Sequence, residues 1–189
     1  MALRKEIRLA GSGGQGLILA GIILAEAAIL YEDLNAVQTQ SYGPEARGGA
    51  SKSEVIISDT DIDYPKCENL DVLLALTQKS LDSYGSDLMK GGLLVVDSDL
   101  VEKTPKGNYQ IYRVPCTAIA RDKVGKIFVA NIVALGAISE LMDFIHAGSI
   151  ERAVLRRVPK GTEEINKKAL KLGREAIQEI LKEEKKEKK

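Results

Sequence analysis

The stretch KEIRLAGSGGQGLILAGIILAEAAILY near the start of the chain constrains the fold more than any other. Ile7, Leu9 and Ala10 make a short apolar strand that runs straight into Gly11-Ser12-Gly13-Gly14-Gln15-Gly16. Residues 17–31 then place Ile18, Leu19, Ile22, Ile23, Glu26 and Leu30 at helical spacing. Ala20, Gly21, Ala25 and Ala27 are small enough to let that helix lie close on a sheet. A strand, a glycine turn and a helix in this order open an α/β domain.

The alternation continues downstream. Residues 35–39 and 51–58 read as strands, and the continuous apolar runs 71–76 and 93–96 suit the interior of a sheet. Residues 109–114 give a further strand after the turn Pro105-Lys106-Gly107. Residues 128–145 are helical and apolar nearly all round, which predicts a helix in the core or at a subunit contact. Pro115-Cys116-Thr117 sits between strand and helix, with Thr117 placed to cap that helix. The last helix begins at the N-cap Thr162, carries Glu163 and Glu164 in its first turn, and buries Ile165, Ala169, Leu172, Ala176, Ile177 and Ile180. Residues 182–189, all Lys and Glu, read as a frayed, solvated end. The expected architecture is α/β: an open, mixed, mostly parallel sheet flanked by helices, with a Rossmann-like glycine loop after the first strand, in one domain over residues 1–189.

Gly11, Gly13 and Gly16 satisfy G-x-G-x-x-G in the strand-to-helix context that gives the motif meaning. Without side chains the turn tightens, its N–H groups approach an anion, and the helix N-terminus adds a favourable dipole. An anionic ligand is the natural guest, unless the glycines serve only to let helix and strand pack tightly. A dinucleotide would also require an acid at the end of the second strand, roughly 20 residues past the glycines, to hold the ribose. Here that strand ends in Val37-Gln38-Thr39-Gln40-Ser41, and Glu32 and Asp33 come before it. No Lys-Ser/Thr follows the glycines, so the loop is not a P-loop.

The segment SYGPEARGGASKS, residues 41–53, is a second shaped loop. Its glycines bend around a ligand or neighbour, Arg47 offers a bidentate fork to phosphate or carboxylate, and Glu45 can orient it. Other features narrow the function. The 27 basic residues balance 27 acidic ones, leaving no excess for a nucleic-acid backbone or an anionic membrane. Cys67 and Cys116 stand far apart and His146 is the only histidine, so neither an iron–sulfur cluster, a structural zinc nor a Cys/His nucleophile is expected. No catalytic residue and no metal ligand is expected on this chain. The apolar run 17–25 is too short for the roughly 20 residues of a membrane span. The N-terminus lacks the features of a signal peptide, which predicts a cytoplasmic location.

GSGGQG, LILAGIILAEAA, QTQSYGPEARGGASKSEVIIS, DVLLALTQ, GGLLVVDS, VPCTAIA and ANIVALGAI, in that order over about residues 5–140, resemble the gamma subunit of the 2-oxoacid:ferredoxin oxidoreductases. GPEARGG is most similar to the 2-oxoglutarate and branched-chain types, with the pyruvate and indolepyruvate enzymes related. The resemblance implies the fold of the third domain of pyruvate:ferredoxin oxidoreductase, and a chain inactive alone. It implies alpha and beta subunits that bind thiamine diphosphate and Mg and decarboxylate the 2-oxoacid. It also implies iron–sulfur clusters in partner chains, a ferredoxin-like delta subunit and ferredoxin as electron acceptor.

By the same resemblance, coenzyme A takes the acyl group, lying partly on this chain. Gly11, Gly13, Gly14, Gln15 and Gly16 would face its phosphates, with Ser41, Tyr42, Gly43, Glu45, Arg47, Gly48 and Gly49 as a second wall. Lys52 would be a further phosphate partner, and Asn131 is either satisfied in the core or in contact with cofactor or subunit. Helix 128–145 and the second loop are candidate contact surfaces, for partners or for a homodimer of the isolated chain. The alternative is a freestanding dinucleotide-binding reductase or transferase.

Overall fold

The computed structural model describes residues 2–42 and 50–187. Six strands form one sheet: β1 (Arg4–Ser12), β2 (Asn35–Tyr42), β3 (Ala50–Ser58), β4 (Leu70–Ala75), β5 (Leu88–Asp97) and β6 (Gln110–Val114). Their spatial order is β2-β3-β1-β4-β5-β6. β1, β4, β5 and β6 are parallel to their neighbours in that half, whereas β3 runs antiparallel to both β1 and β2. The expected mixed, mostly parallel α/β sheet is what forms.

Alternation along the strands divides the core in two. On one face Ile7, Leu9, Val55, Ile57, Val72, Leu74 and Val95 meet the helices α1 (Leu17–Tyr31), α4 (Ala130–Leu141), α5 (Ala147–Arg157) and α6 (Glu163–Glu187). Ile7, Leu9 and Leu74 have no exposed surface, each worth about 2 kcal/mol of burial. On the other face Ala10, Leu73, Leu94 and Val96 meet Leu81, Leu88 and Val101, under the short helix α2 (Gln78–Tyr84) and the turn after it. Arg8 lies buried on this thinner side. Its guanidinium binds Glu54 at 2.8 Å, pairs with Asp87 and stacks 5.1 Å from the Tyr84 ring, so its charge is neutralised in place.

Backbone approaches backbone where α4 crosses α6. A Cβ on Gly136 would sit 2.2 Å from the Leu170 carbonyl oxygen, and one on Gly173 would sit 2.0 Å from that of Val133. The small residues of the apolar stretch thus serve a helix crossing inside the chain. Ile132, Val133, Leu135 and Ile138 are spent on this chain's own core, which removes most of that helix as a contact surface.

Other expectations shift. The helix expected over 128–145 starts at Ala130, after a 3-10 turn (Ile127–Val129), and ends at Leu141. Phe128 is 65% exposed, because nothing among the described residues reaches over the turn to bury it. Thr117 is not a cap. It lies within the short helix α3 (Cys116–Ala118), and both its N–H and its hydroxyl donate to Asp97. A π-helical stretch (Ile119–Val124) continues α3 and ends at Gly125, φ 82°. α2 and α5 are short helices that periodicity left unassigned. α6 continues as helix through the charged run to Glu187.

Candidate phosphate-binding site at the carboxyl end of the sheet

The glycine loop follows β1 at the carboxyl end of the parallel strands, where open α/β sheets hold ligands. Its shape is locked from within. The Ser12 N–H donates to Gln15 Oε1 at 2.7 Å, and the Gln15 N–H donates back to the Ser12 carbonyl at 3.2 Å. A Cβ on Gly11 would lie 2.3 Å from Gln15 Oε1, so Gly11 is the residue that admits this brace. Gly16 has φ 73°, and a Cβ there would meet Asn131 Nδ2 at 2.5 Å. The Asn131 amide instead donates to the Gly16 carbonyl at 3.0 Å, while its Oδ1 accepts from the Ile132 N–H at 2.9 Å. Asn131, buried at the start of α4, therefore ties that helix to the loop.

Gly13 and Gly14 are exposed. Gly14 has φ 91° and nothing within 4 Å of where a Cβ would point. α1 has no acidic residue in its first turn and no side chain capping it. The loop thus presents bare backbone and the positive end of a fifteen-residue helix to whatever lies beside it. Gly14 and Gln15 line one side of a cavity of about 390 Å³ whose remaining walls are Leu100, Thr117, Ile127, Phe128 and Ala130.

Sequence reasoning missed this apolar wall because it comes from three separate connections. Its one local signal was Ile127-Phe128 directly after Lys126, at the end of a glycine turn. Asp97 supports the wall from beneath. It is fully buried and accepts from the N–H of Thr117 at 3.0 Å, from its hydroxyl, and from the Asp99 N–H at 3.0 Å. Burial pushes the Asp97 carboxyl above its usual range, against the pull of those hydrogen bonds.

The second wall expected from residues 41–49 is only partly described. Gly43, Glu45, Arg47, Gly48, Gly49 and the side chain of Tyr42 lie outside the described residues. The strands that bracket them are in register with the glycine loop: Ser12 pairs with Ala50, Gly11 with Ser51, and Ser51 with Tyr42. Ser41 is exposed opposite Lys52. Lys52 is not brought to the loop. Its ammonium sits 3.2 Å from Glu54 and 5.5 Å from the Tyr84 ring, on the face carrying α2.

Burial disfavours the thiolate at both cysteines. Burial, with Glu54 and Glu6 nearby, pushes Cys67 up to about 12. Burial also raises the enclosed Cys116 well above the ordinary thiol value, helped by Asp97 and Asp99. His146 is exposed and its Nδ1 meets Glu32 at 2.9 Å, far in sequence from the glycine loop. No helix among the described residues is long and apolar enough to cross a membrane.

Residues 6–176 match the family model described as pyruvate ferredoxin/flavodoxin oxidoreductase. The chain belongs to that family. It is 52% identical over 180 residues to the 2-oxoglutarate synthase subunit KorC of Methanocaldococcus jannaschii, covering 94% of this chain and 96% of the relative. The gamma subunit of a keto/oxoacid ferredoxin oxidoreductase from Geobacter sulfurreducens superimposes with a TM-score of 0.87 at 54% identity, over 94% of this chain and 98% of that one. The 2-oxoglutarate:ferredoxin oxidoreductase of Magnetococcus marinus, solved with 2-oxoglutarate, coenzyme A and succinyl-CoA bound, shares the fold. Its TM-score is 0.82 at 22% identity, over 93% of this chain and 31% of that one. Within the family this chain is a gamma subunit of the 2-oxoacid:ferredoxin oxidoreductases.

Proposed function

We propose that this gamma subunit works in a 2-oxoglutarate:ferredoxin oxidoreductase and holds part of coenzyme A while the acyl group is transferred to its thiol. The observation that carries the reading is the bare glycine loop at the start of α1, facing a cavity whose other wall is apolar. Phosphate suits the loop's N–H groups, and an uncharged chain such as pantetheine suits Leu100, Ile127 and Phe128. Gly14, Gln15 and the first turn of α1 bind and orient. Arg47 supplies the cation that the described walls of the cavity lack.

In this reading thiamine diphosphate with Mg, and the iron–sulfur clusters, reside in alpha, beta and ferredoxin-like delta partners, and ferredoxin takes the electrons. The full-length likeness to KorC favours 2-oxoglutarate as substrate. The sheet order argues against a dinucleotide. In the doubly wound nucleotide fold the second strand lies beside the first and carries the ribose acid. Here β3 is inserted between β1 and β2, setting the end of β2 about 10 Å from β1.

The test is steady-state kinetics of the assembled complex with Gly14→Ala and Arg47→Ala. Each is expected to raise the KM for coenzyme A about tenfold, a loss of about 1.4 kcal/mol of binding. Decarboxylation measured without coenzyme A should be unchanged. An unmoved KM in both variants, with the subunit still in the complex, would overturn the assignment.

A further inference from the structure

One wall of the glycine-loop cavity comes from a connection with no regular structure of its own. Residues 98–109 join β5 to β6 without a helix or strand, and within them Leu100, 40% exposed, lines the cavity together with Gly14 and Gln15. The start of the connection is anchored at β5. The N–H groups of Leu100 and Val101 both donate to the Asp97 carbonyl, at 3.2 and 2.9 Å, and the Val101 side chain is buried. Past Val101 the packing gives out. Glu102, Lys103, Thr104 and Pro105 line a second cavity, of about 550 Å³, whose opposite wall is α2.

The side chain of Gln78, the first residue of α2, bridges that gap. Its Oε1 accepts from the N–H groups of Glu102 and Lys103, both at 3.0 Å, and its Nε2 donates to the Lys103 carbonyl at 3.1 Å and to Asp82 at 2.8 Å. A primary amide has two acceptor sites and two donors, and all four are used here. The Gln78 backbone N–H adds a bond to the Leu100 carbonyl at 3.2 Å. Water would satisfy a half-buried amide equally well, so the arrangement gains little stability and chiefly fixes where the connection lies. Nor does α2 depend on it, because Thr77 and Ser80 form the capping box that starts the helix.

We infer that Gln78 is a positioning residue for the glycine-loop site: by holding residues 102 and 103 it keeps Leu100 in the cavity wall beside Gly14. The inference rests on the coenzyme A reading and adds to it a residue outside the cavity lining. A wall held in place before the ligand arrives spares the cost of ordering it on binding, so the effect belongs to affinity rather than to the chemical step. Asp97 and Gln78 divide the work. The first fixes the connection where it leaves β5, and the second fixes it beyond Val101, where the 550 Å³ cavity would otherwise let it move.

The experiment is steady-state kinetics of the assembled complex with coenzyme A varied, read together with hydrogen exchange at residues 100–103. Gln78→Ala is expected to raise the KM for coenzyme A about fivefold, the low end of what coupling between neighbouring sites produces, and to leave kcat at saturation within about twofold. In a Leu100→Ala background the same substitution should add nothing, since Gln78 acts through that wall. Gln78→Glu keeps the acceptor for Glu102 and Lys103 but sets a carboxylate against Asp82; it should bind coenzyme A more weakly and regain part of the loss when Asp82→Asn returns a donor to the pair. A KM unmoved by Gln78→Ala where Gly14→Ala raises it would overturn this inference alone, and a KM unmoved by both would overturn the coenzyme A reading and the inference with it. Faster exchange at residues 102 and 103 with an unchanged KM, full additivity with Leu100→Ala, or a Gln78→Glu defect that Asp82→Asn leaves in place would each reduce Gln78 to a structural contact and overturn it as well.

Discussion

Replacing Asn131 with Ala tests whether the glycine loop owes its shape to helix α4. The substitution removes two hydrogen bonds from a side chain that is 4% exposed: the amide to the Gly16 carbonyl at 3.0 Å, and the Ile132 N–H to Oδ1 at 2.9 Å. The Gly16 carbonyl keeps the Ala20 N–H at 3.1 Å, so the chief loss is the orphaned Ile132 N–H. An unsatisfied buried donor costs about 1–3 kcal/mol, which near 2 kcal/mol lowers the folded-to-unfolded ratio about thirtyfold. Denaturant unfolding of the isolated chain reads that loss.

A second effect separates positioning from stability. If the amide holds the loop, the assembled enzyme should show a KM for coenzyme A raised several-fold, with decarboxylation at thiamine unaltered. Asn131→Asp sharpens the comparison. It keeps the acceptor for Ile132 but turns a carboxylate toward the Gly16 carbonyl. Only its protonated form can donate there, so the variant should recover relative to wild type as the pH is lowered into the carboxylate range. A stability within 0.5 kcal/mol of wild type for Asn131→Ala, or a stability loss with no change in KM, would refute the argument.

Three further outcomes are expected. Gly173→Ala should destabilise by about 3 kcal/mol or more in thermal melts, because its methyl meets a backbone carbonyl that no rotamer change can move. Asp97→Ala should cost about 2–4 kcal/mol by orphaning the Thr117 and Asp99 N–H groups and the Thr117 hydroxyl, and should disorder the cavity wall as seen by hydrogen exchange at residues 116–118. The hydrogen bond from Arg157 holds Glu26 below its usual range against the effect of burial. Its contribution is therefore present above the unfolded carboxylate value and is lost as the pH falls through the lower folded value. Arg157→Gln should accordingly reduce the slope of melting temperature against pH below about 4.5.

What could be read from the sequence was what is local in it. Residues 17–31 were legible as a helix because the glycine cluster fixes its start and the apolar spacing runs unbroken to Tyr31. Of the four parallel strands, β4 and β5 were legible as continuous apolar runs because helices or turns cover both faces of the sheet there, whereas β1 and β6 were legible from the glycine cluster and the turn next to them. Residues 128–129 were misread, since Ile127 and Phe128 carry the hydrophobicity of a core helix but are placed by the 3-10 turn at the rim of the cavity. Lys52 misled for a different reason. Alternation along β3 decides its side of the sheet, and only the pairing of Ala10 with Lys52 shows that its ammonium falls among Glu54 and Tyr84. The order of the strands was the least legible feature, because insertion of β3 beside β1 is a long-range choice with no local signature. That choice has chemical consequences. It separates the end of β2 from the glycine loop and leaves the 43–49 connection, rather than a ribose-binding acid, rooted beside it. The same glycine fingerprint that would read as a dinucleotide site next to a second parallel strand stands here next to an antiparallel hairpin, with no second-strand acid beside it to hold a ribose.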